Sequence, residues 1–322
     1  MPTWGEINQE FIKRREKGEQ SPDPLRREFL SKLHGHTQRD TILYASNWTQ
    51  PKDINPGLLS IIPEDIQGFM EVIYGLKGPN LDLILHSPGG SAEVTEALVI
   101  YLRSKFNHIR AIIPHAAMSA ATMFACACDE IVMGKHSFLG PIDPQMNLNT
   151  RLGPMSVPAQ AILDEFEKAK IECQDPRKIG VWLPIIEQFG PALIIQCENA
   201  KTLAKNLVGE WLETNMFKKD PNGKERAQRI SEYLSNHDNF KTHGRHIDRK
   251  KLESLDIKIE YLEKDPKLQD LVLSVFHATT ITFDQTPAVK IIENNNGKAF
   301  VRLTPTISLI QGEPTIKKPK KR

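Results

Sequence analysis

Two short stretches hold residue types that could carry out acyl transfer. The first is Ser87-Pro88-Gly89-Gly90. The second, about thirty residues further on, is Met118-Ser119-Ala120-Ala121. Glycine lets the main chain approach a ligand closely and adopt dihedrals closed to other residues, so the Gly89 and Gly90 amides can face a substrate oxygen. Ser119 offers a hydroxyl nucleophile, and the N–H of Ala120 points the same way if Ser119 opens a helix. A serine beside two amide donors is the minimum kit for acyl transfer, each donor being worth roughly 10²–10³ in rate.

The surrounding sequence supplies the elements that would position these groups. Leu81 to Leu85 is an apolar run that reads as a buried strand, and Ala92, Leu98, Val99 and Leu102 recur at helical spacing after the Gly-Gly turn. A second unit repeats the plan, with Ile109 to Ile113 as a strand, a break at Pro114-His115, and an alanine-rich helix entered at Ser119. Each unit sets a turn at the amino end of a helix, where unpaired N–H groups face outward and can hold an anion. Taken singly, a Gly-Gly pair is an ordinary turn and a serine in such a helix an ordinary packing residue. Their joint order and spacing carry the reading.

With His86-Ser-Pro-Gly-Gly, Ala117-Met-Ser-Ala-Ala-Thr-Met, the Cys128-Asp-Glu-Ile-Val-Met-Gly run and Leu139-Gly-Pro-Ile-Asp-Pro-Gln in register, the sequence resembles the serine dehydrogenase proteinase family. That family is a branch of the Clp-protease and signal-peptide-peptidase-A group of serine peptidases. The resemblance is dense over 81–165 and thinner to about 300. It implies an α/β fold, a crotonase-like (Clp protease-like) spiral of ββα units with added helices and a C-terminal α+β extension. It also implies peptide-bond hydrolysis and self-assembly. By its motifs Ser119 matches the nucleophile and Gly90 and Ala120 the oxyanion donors, with Gly89 beside them.

The departures concern the base. The small pair after the nucleophile, usually glycines in the family, is Ala120-Ala121, and where Clp-type subunits carry a histidine this chain reads Ile142-Asp143-Pro144. Signal-peptide-peptidase-like enzymes use a lysine further along, and Lys168 and Lys170 fall in that range. A lysine serves as a base only when burial or neighbouring positive charge lowers its pKa. Lysine is therefore the expected base, although both sit in an amphipathic stretch with acidic neighbours. Asp143, in a loop stiffened by two prolines, is expected to orient the base or fix the loop. His86 and His115 are expected near the site without transferring protons.

Composition bounds the rest. The chain has 322 residues, 39% hydrophobic and 25% charged, which is the make-up of a globular protein with room for a full core. A net charge of +2 gives no overall nucleic-acid signal. Cys126, Cys128, Cys173 and Cys197 form no CxxC pair, so no zinc or redox couple is expected, and no cofactor. Residues 1–40 lack the apolar segment of a signal peptide, and the uncharged run Ala111 to Cys128 is broken by Pro114, His115 and Ser119, so no membrane span and a cytoplasmic location are expected. No P-loop is present, so hydrolysis is expected to be ATP-independent, with a separate partner protein left to supply or regulate a polypeptide substrate.

In order, the chain reads as an N-terminal helical arm (1–35), the peptidase core (36–215), an α+β extension (216–310) and a basic flexible tail (311–322). Thr41 to Ser46 alternates like an entering strand, and the periodic stripe through Leu193, Cys197, Leu203, Leu207 and Trp211 predicts a long helix or helix pair. In the extension, His237, His243 and His246 raise a metal site, set aside for want of companion ligands. His243 and Arg245 are expected to approach the substrate groove. Asn295-Asn296-Gly297 predicts a hairpin. Five of the last six residues are Lys or Arg, a weak, salt-sensitive attraction for nucleic acid. Two rivals stay open: a crotonase-fold enzyme binding acyl-CoA, and a scaffold subunit of a larger assembly that kept the fold and lost catalysis.

Overall fold

The computed structural model describes residues 1–50, 54–151 and 153–304, so the basic tail lies outside the described residues. Two helices open the chain, α1 (Trp4–Glu16) and α2 (Asp23–Thr37); Thr3 and Glu6 close a reciprocal cap at the start of α1. Then come β1 (Asp40–Ser46), α3 (Pro56–Leu59), α4 (Glu64–Ile73), β2 (Asn80–His86), α5 (Ala92–Lys105), β3 (His108–Ile113), β4 (Ala116–Ala117), α6 (Ala120–Cys126), β5 (Glu130–Met133) and β6 (Phe138–Leu139). A hairpin of β7 (Gln145–Thr150) and β8 (Gly153–Pro158) leads to α7 (Ala159–Glu172), α8 (Pro176–Ile186), α9 (Leu193–Trp211) and α10 (Gly223–Ser235). The chain continues through β9 (Ile247–Asp248), α11 (Arg249–Ser254), β10 (Ile259–Tyr261) and α12 (Pro266–Gln285) to β11 (Ala288–Asn294) and β12 (Ala299–Leu303).

The main sheet has seven strands in the order β10-β5-β3-β2-β1-β11-β12. The pairs from β10 to β1 are parallel, while β11 is antiparallel to both β1 and β12. Parallel strands are covered on both faces, which explains their apolar runs. Ile42, Tyr44, Leu81, Leu83, Leu85, Ala111 and Ile113 share a core with Phe69 of α4, Leu98 and Leu102 of α5, Met123 and Phe124 of α6, and Val208 of α9. The alternate residues Leu43, Ala45, Ile84, Ile112 and Val132 pack on the other face against Leu30 and Leu33 of α2 and Leu271, Val272 and Val275 of α12. The result is a three-layer α/β/α body. β1 is buried along its whole length, not alternately, because it lies at the middle of this sandwich.

The expected C-terminal extension is woven into that sheet. β10 continues the parallel edge beside β5, and the β11–β12 hairpin, turning at Gly297 with φ 80°, extends the sheet past β1. The N-terminal arm is likewise tied in, with Ile7, Phe11 and Leu25 packed on Ala278 and Ile281 of α12. At the carboxyl ends of the parallel strands lies a second set of short pairings: Ile61 with Gly90, Ser87 with Ala117, β4 with β6, and β6 with β9. Among the described residues no helix is long and apolar enough to cross a membrane.

Candidate active site

Ser119 sits at the corner between β4 and α6 with φ 54° and ψ −124°, a conformation that L-residues rarely adopt. Such a residue costs on the order of 1–3 kcal/mol and persists only where its surroundings enforce it. Here Met123 N donates to Ser119 O at 3.1 Å and Ala121 N to Met118 O at 2.9 Å. The Thr122 hydroxyl donates to Ala117 O at 2.8 Å and accepts from Gly140 N at 2.9 Å. The corner is clamped from both sides, and the Ser119 side chain stays partly exposed. Ala120 and Ala121, where the family usually has glycines, are small enough to be buried beneath it.

The Ser-Pro-Gly-Gly turn is stitched to this corner. Ser87 N donates to Ala116 O at 3.2 Å, and Met118 N returns a bond to Ser87 O at 3.0 Å. On its outer side Ile61 N donates to Gly89 O at 2.7 Å and Ser91 N to Ile61 O at 3.0 Å. Both glycines are required. Gly89 has φ 99°, and a Cβ there would lie 2.6 Å from Met118 O and 2.7 Å from Ser119 Cβ. A Cβ on Gly90 would lie 2.4 Å from both N and O of Ile61. Among the described residues the amides of Gly90 and Ala120 donate to no acceptor. Both residues line one cavity with Ser119.

That cavity, of about 680 Å³, is bounded by the Ser60–Pro63 segment, by Pro144–Asn147, and by Ala200, Leu203 and Ala204 of α9. Met123, Ile142 and Met146 add to an apolar lining. His243 also faces it. The His243 ring, through Nδ1, bonds Asp143 Oδ1 at 2.7 Å, and His237 Nδ1 bonds Asp143 Oδ2 at 2.8 Å. Gln145 Nε2 adds a bond to Oδ2 at 3.1 Å. A carboxylate only accepts, so each ring donates from Nδ1 and, when neutral, keeps its Nε2 lone pair free for a proton. The chain brings these distant residues together because β9 pairs antiparallel with β6, Leu139 against Ile247, and because Ile142 N donates to Leu234 O at 3.0 Å.

The other residues singled out in the sequence do not line that cavity. Lys168 and Lys170 are on the exposed surface of α7 and outside the cavity lining, and Lys170 Nζ bonds Glu167 at 2.8 Å. The lysine expected as base is therefore paired with a carboxylate in solvent, away from the Ser119 cavity. His86 is packed between Trp48, Phe276 and His115, with Nδ1 bonded to Ala116 O at 3.2 Å, and burial pushes it down to about 3. His115 lines a different cavity with His136 and His277, and burial lowers its pKa as well. Arg245 is exposed, and His246 stacks on Phe138 at 4.7 Å instead of joining His237 and His243. Burial pushes the Cys126 and Cys128 thiols up to about 12, so neither offers a thiolate near neutrality.

The pairing of Asp143 with two histidines about a hundred residues away has no local signal in the sequence. Asp143 and His243 stand out separately, and tertiary contacts such as the β6–β9 pairing join them. His237 had no reading beyond the histidine cluster.

Comparison with known proteins places the chain among its relatives. The profile of the ClpP-like SDH-type serine proteinases matches residues 72–268, a stretch that contains the glycine turn, Ser119, Asp143, His237 and His243. Two relatives come from Methanocaldococcus jannaschii. Uncharacterized protein MJ1495 is 34% identical over 140 residues, 41% of this chain and 45% of its own. Uncharacterized protein MJ0137 is 29% identical over 159 residues, 49% of this chain and 46% of its own. The matches thus span about half the length of these relatives. Two solved structures are of the 1510-N membrane-bound stomatin-specific protease, each at 13% identity. A serine-to-alanine mutant aligns with TM-score 0.33 over 56% of this chain and 64% of its own. A lysine-to-alanine mutant in complex with a substrate peptide aligns with TM-score 0.27 over 65% and 84%. Since the matched profile covers more than half of the sequence, the chain belongs to the ClpP-like SDH-type serine proteinase family.

Proposed function

We propose that the protein is a serine endopeptidase in which Ser119 is the nucleophile, His243 the general base and Asp143 the residue that orients it. The observation that carries this reading is a single cavity shared by four groups: the Ser119 hydroxyl, the undonated amides of Gly90 and Ala120, and a histidine fixed through Nδ1 to a buried carboxylate. In the proposed reaction His243 Nε2 takes the Ser119 proton as Oγ adds to the scissile carbonyl carbon. The carbonyl oxygen becomes an oxyanion held by the two amides. The C–N bond then breaks, and the imidazolium returns its proton to the leaving amine. Water, deprotonated by the same imidazole, releases the acyl group as a carboxylic acid and frees Oγ. Asp143 keeps His243 in the Nδ1–H tautomer and stabilises the transient imidazolium. Histidine takes the role that the sequence had assigned to Lys168 or Lys170.

Ser119 and His243 are not hydrogen-bonded to one another, a common state of such pairs before substrate closes the geometry. Two segments, Ser60–Pro63 and Pro144–Asn147, flank the cavity, and a substrate chain can lie between them. The apolar lining from Met123, Ile142, Met146 and Leu203 favours an apolar residue on the acyl side of the cleaved bond. The short pairings at the carboxyl ends of the strands support a spiral of ββα units, each unit adding one short strand beside the last. Assembly as a homo-oligomer belongs to the same reading. It is supported by exposed apolar side chains on α7, α8 and α9: Ile171, Ile179, Val181, Leu183 and Ile195.

Hydrolysis of fluorogenic peptides tests the proposal. Peptides with leucine or methionine before the reporter are expected to be cleaved, and Ser119→Ala to lose at least about 10³-fold in rate. Equal cleavage by the Ser119→Ala variant would remove the serine mechanism.

A further inference from the structure

The oxyanion turn rests on a buried polar network distant from the reacting atoms. Lys290 of β11 is fully buried, as are Asp65 of α4 and Tyr44 of β1. Lys290 Nζ donates to Asp65 Oδ1 at 2.8 Å, to Asp65 Oδ2 at 2.9 Å and to Ser60 O at 2.6 Å. Asp65 Oδ2 also accepts from Ile62 N at 3.0 Å and from the Tyr44 hydroxyl at 2.7 Å. The lysine holds the carbonyl before Ile61 and the aspartate holds the amide after it. Ile61 itself carries the two main-chain bonds to Gly89 and Ser91 that fix the glycine turn. A second path reaches the same turn, since the Tyr44 hydroxyl faces the Ser87 side chain and Ser87 Oγ accepts from Gly89 N at 3.2 Å.

We infer that Lys290, Asp65 and Tyr44 are positioning residues for the oxyanion hole, setting the aim of the Gly90 amide through the Ser60–Ile62 segment. The inference rests on the peptidase reading for its catalytic consequence. An ion pair sealed between β11 and α4 is poor value as a stabiliser, because apolar residues of the same volume usually pack there at equal or lower free energy. Its particular capacity is to grip main-chain groups on both sides of Ile61 at fixed distances. Gly90 has no slack to absorb a shift of Ile61, the two backbones being close enough to exclude a Cβ. All three residues lie outside 72–268, the stretch matched by the family profile.

The test compares the full-length protein with Lys290→Met and Tyr44→Phe by amide hydrogen exchange and by peptide hydrolysis. In Lys290→Met, protection of peptides covering 60–63 and 87–92 is expected to fall at least about tenfold, while that of α10 and the β11–β12 hairpin stays within about twofold. The kcat is expected to fall roughly 10–100-fold with KM within about twofold, as for a misplaced transition-state donor. Uniform loss of protection across the molecule, or unchanged exchange at 87–92 with unchanged kcat, would overturn the inference. Should Lys290→Met fail to fold, Tyr44→Phe decides, with about a fivefold local loss of protection expected for one missing hydroxyl and no local change counting against the inference. If the unaltered protein hydrolyses no peptide, the peptidase reading falls by itself, and hydrogen exchange at 87–92 still judges the network.

Discussion

Ser119 holds one of the few positive φ angles outside glycine in the described chain, and the residues around it spend several hydrogen bonds on keeping it there. Strain of this kind clusters at functional sites, which supports the role proposed for the partly exposed Ser119 hydroxyl. On the proposed chemistry, His243→Ala is expected to lower kcat about 10²–10⁴-fold and Asp143→Asn by a similar factor, while Lys168→Ala and Lys170→Ala stay within about twofold. Steady-state hydrolysis by the four variants checks this, and a large loss in either lysine variant would restore the lysine base. The proposed nucleophile and the glycine turn stand in short motifs whose spacing is local, so the sequence could single them out. The histidine proposed as base could not be found that way. His243 and Asp143 are a hundred residues apart, and their contact depends on a pairing of two two-residue strands that no periodicity announces.

Strands and helices set the aim of the site through contacts with almost no tolerance. The glycine turn is pressed between Ile61 on one side and the Met118–Ala120 corner on the other. Gly90→Ala is therefore expected to displace the turn and reduce peptide hydrolysis by at least about 10²-fold, while far-ultraviolet circular dichroism stays native. Full activity in that variant would show that the Gly90 amide has no part in catalysis. At this scale the parallel strands were easy to read, since burial on both faces leaves continuous apolar runs. The fate of 216–310 was harder. β10 and the β11–β12 hairpin join the main sheet from far along the chain, and hairpin signals such as Asn296-Gly297 disclose a turn without naming the strand it will pair with.

The whole molecule couples its stability to a histidine that the proposed reaction does not use. His86 is held neutral in the fold, pushed down to about 3 by burial, whereas in an unfolded chain it titrates near 6.5. As pH falls below about 6.5 the unfolded chain gains a proton that the folded chain refuses, so stability drops by about 1.4 kcal/mol per pH unit from this group until roughly pH 3. His86→Phe keeps an aromatic ring against Trp48 and Phe276, and urea titrations at pH 7, 5.5 and 4.5 are expected to show a shallower loss than in the unaltered protein. An identical slope would mean that the imidazole can be protonated in the fold. The exposed apolar residues of α7–α9 bear on the proposed assembly. If the protein assembles through them, Val181→Asp with Leu183→Glu is expected to lower the mass measured by light scattering, and an unchanged mass would contradict that proposal. Composition indicated a full core, and it is silent on whether any helical face is covered by another copy.

The most direct test of the central claim is to label the folded protein with a fluorophosphonate and map the adduct by mass spectrometry. The account predicts a single adduct on Ser119 Oγ, formed slowly or not at all in His243→Ala and at the normal rate in Lys170→Ala. An unlabelled Ser119 in the folded protein, or labelling indifferent to His243, would contradict it.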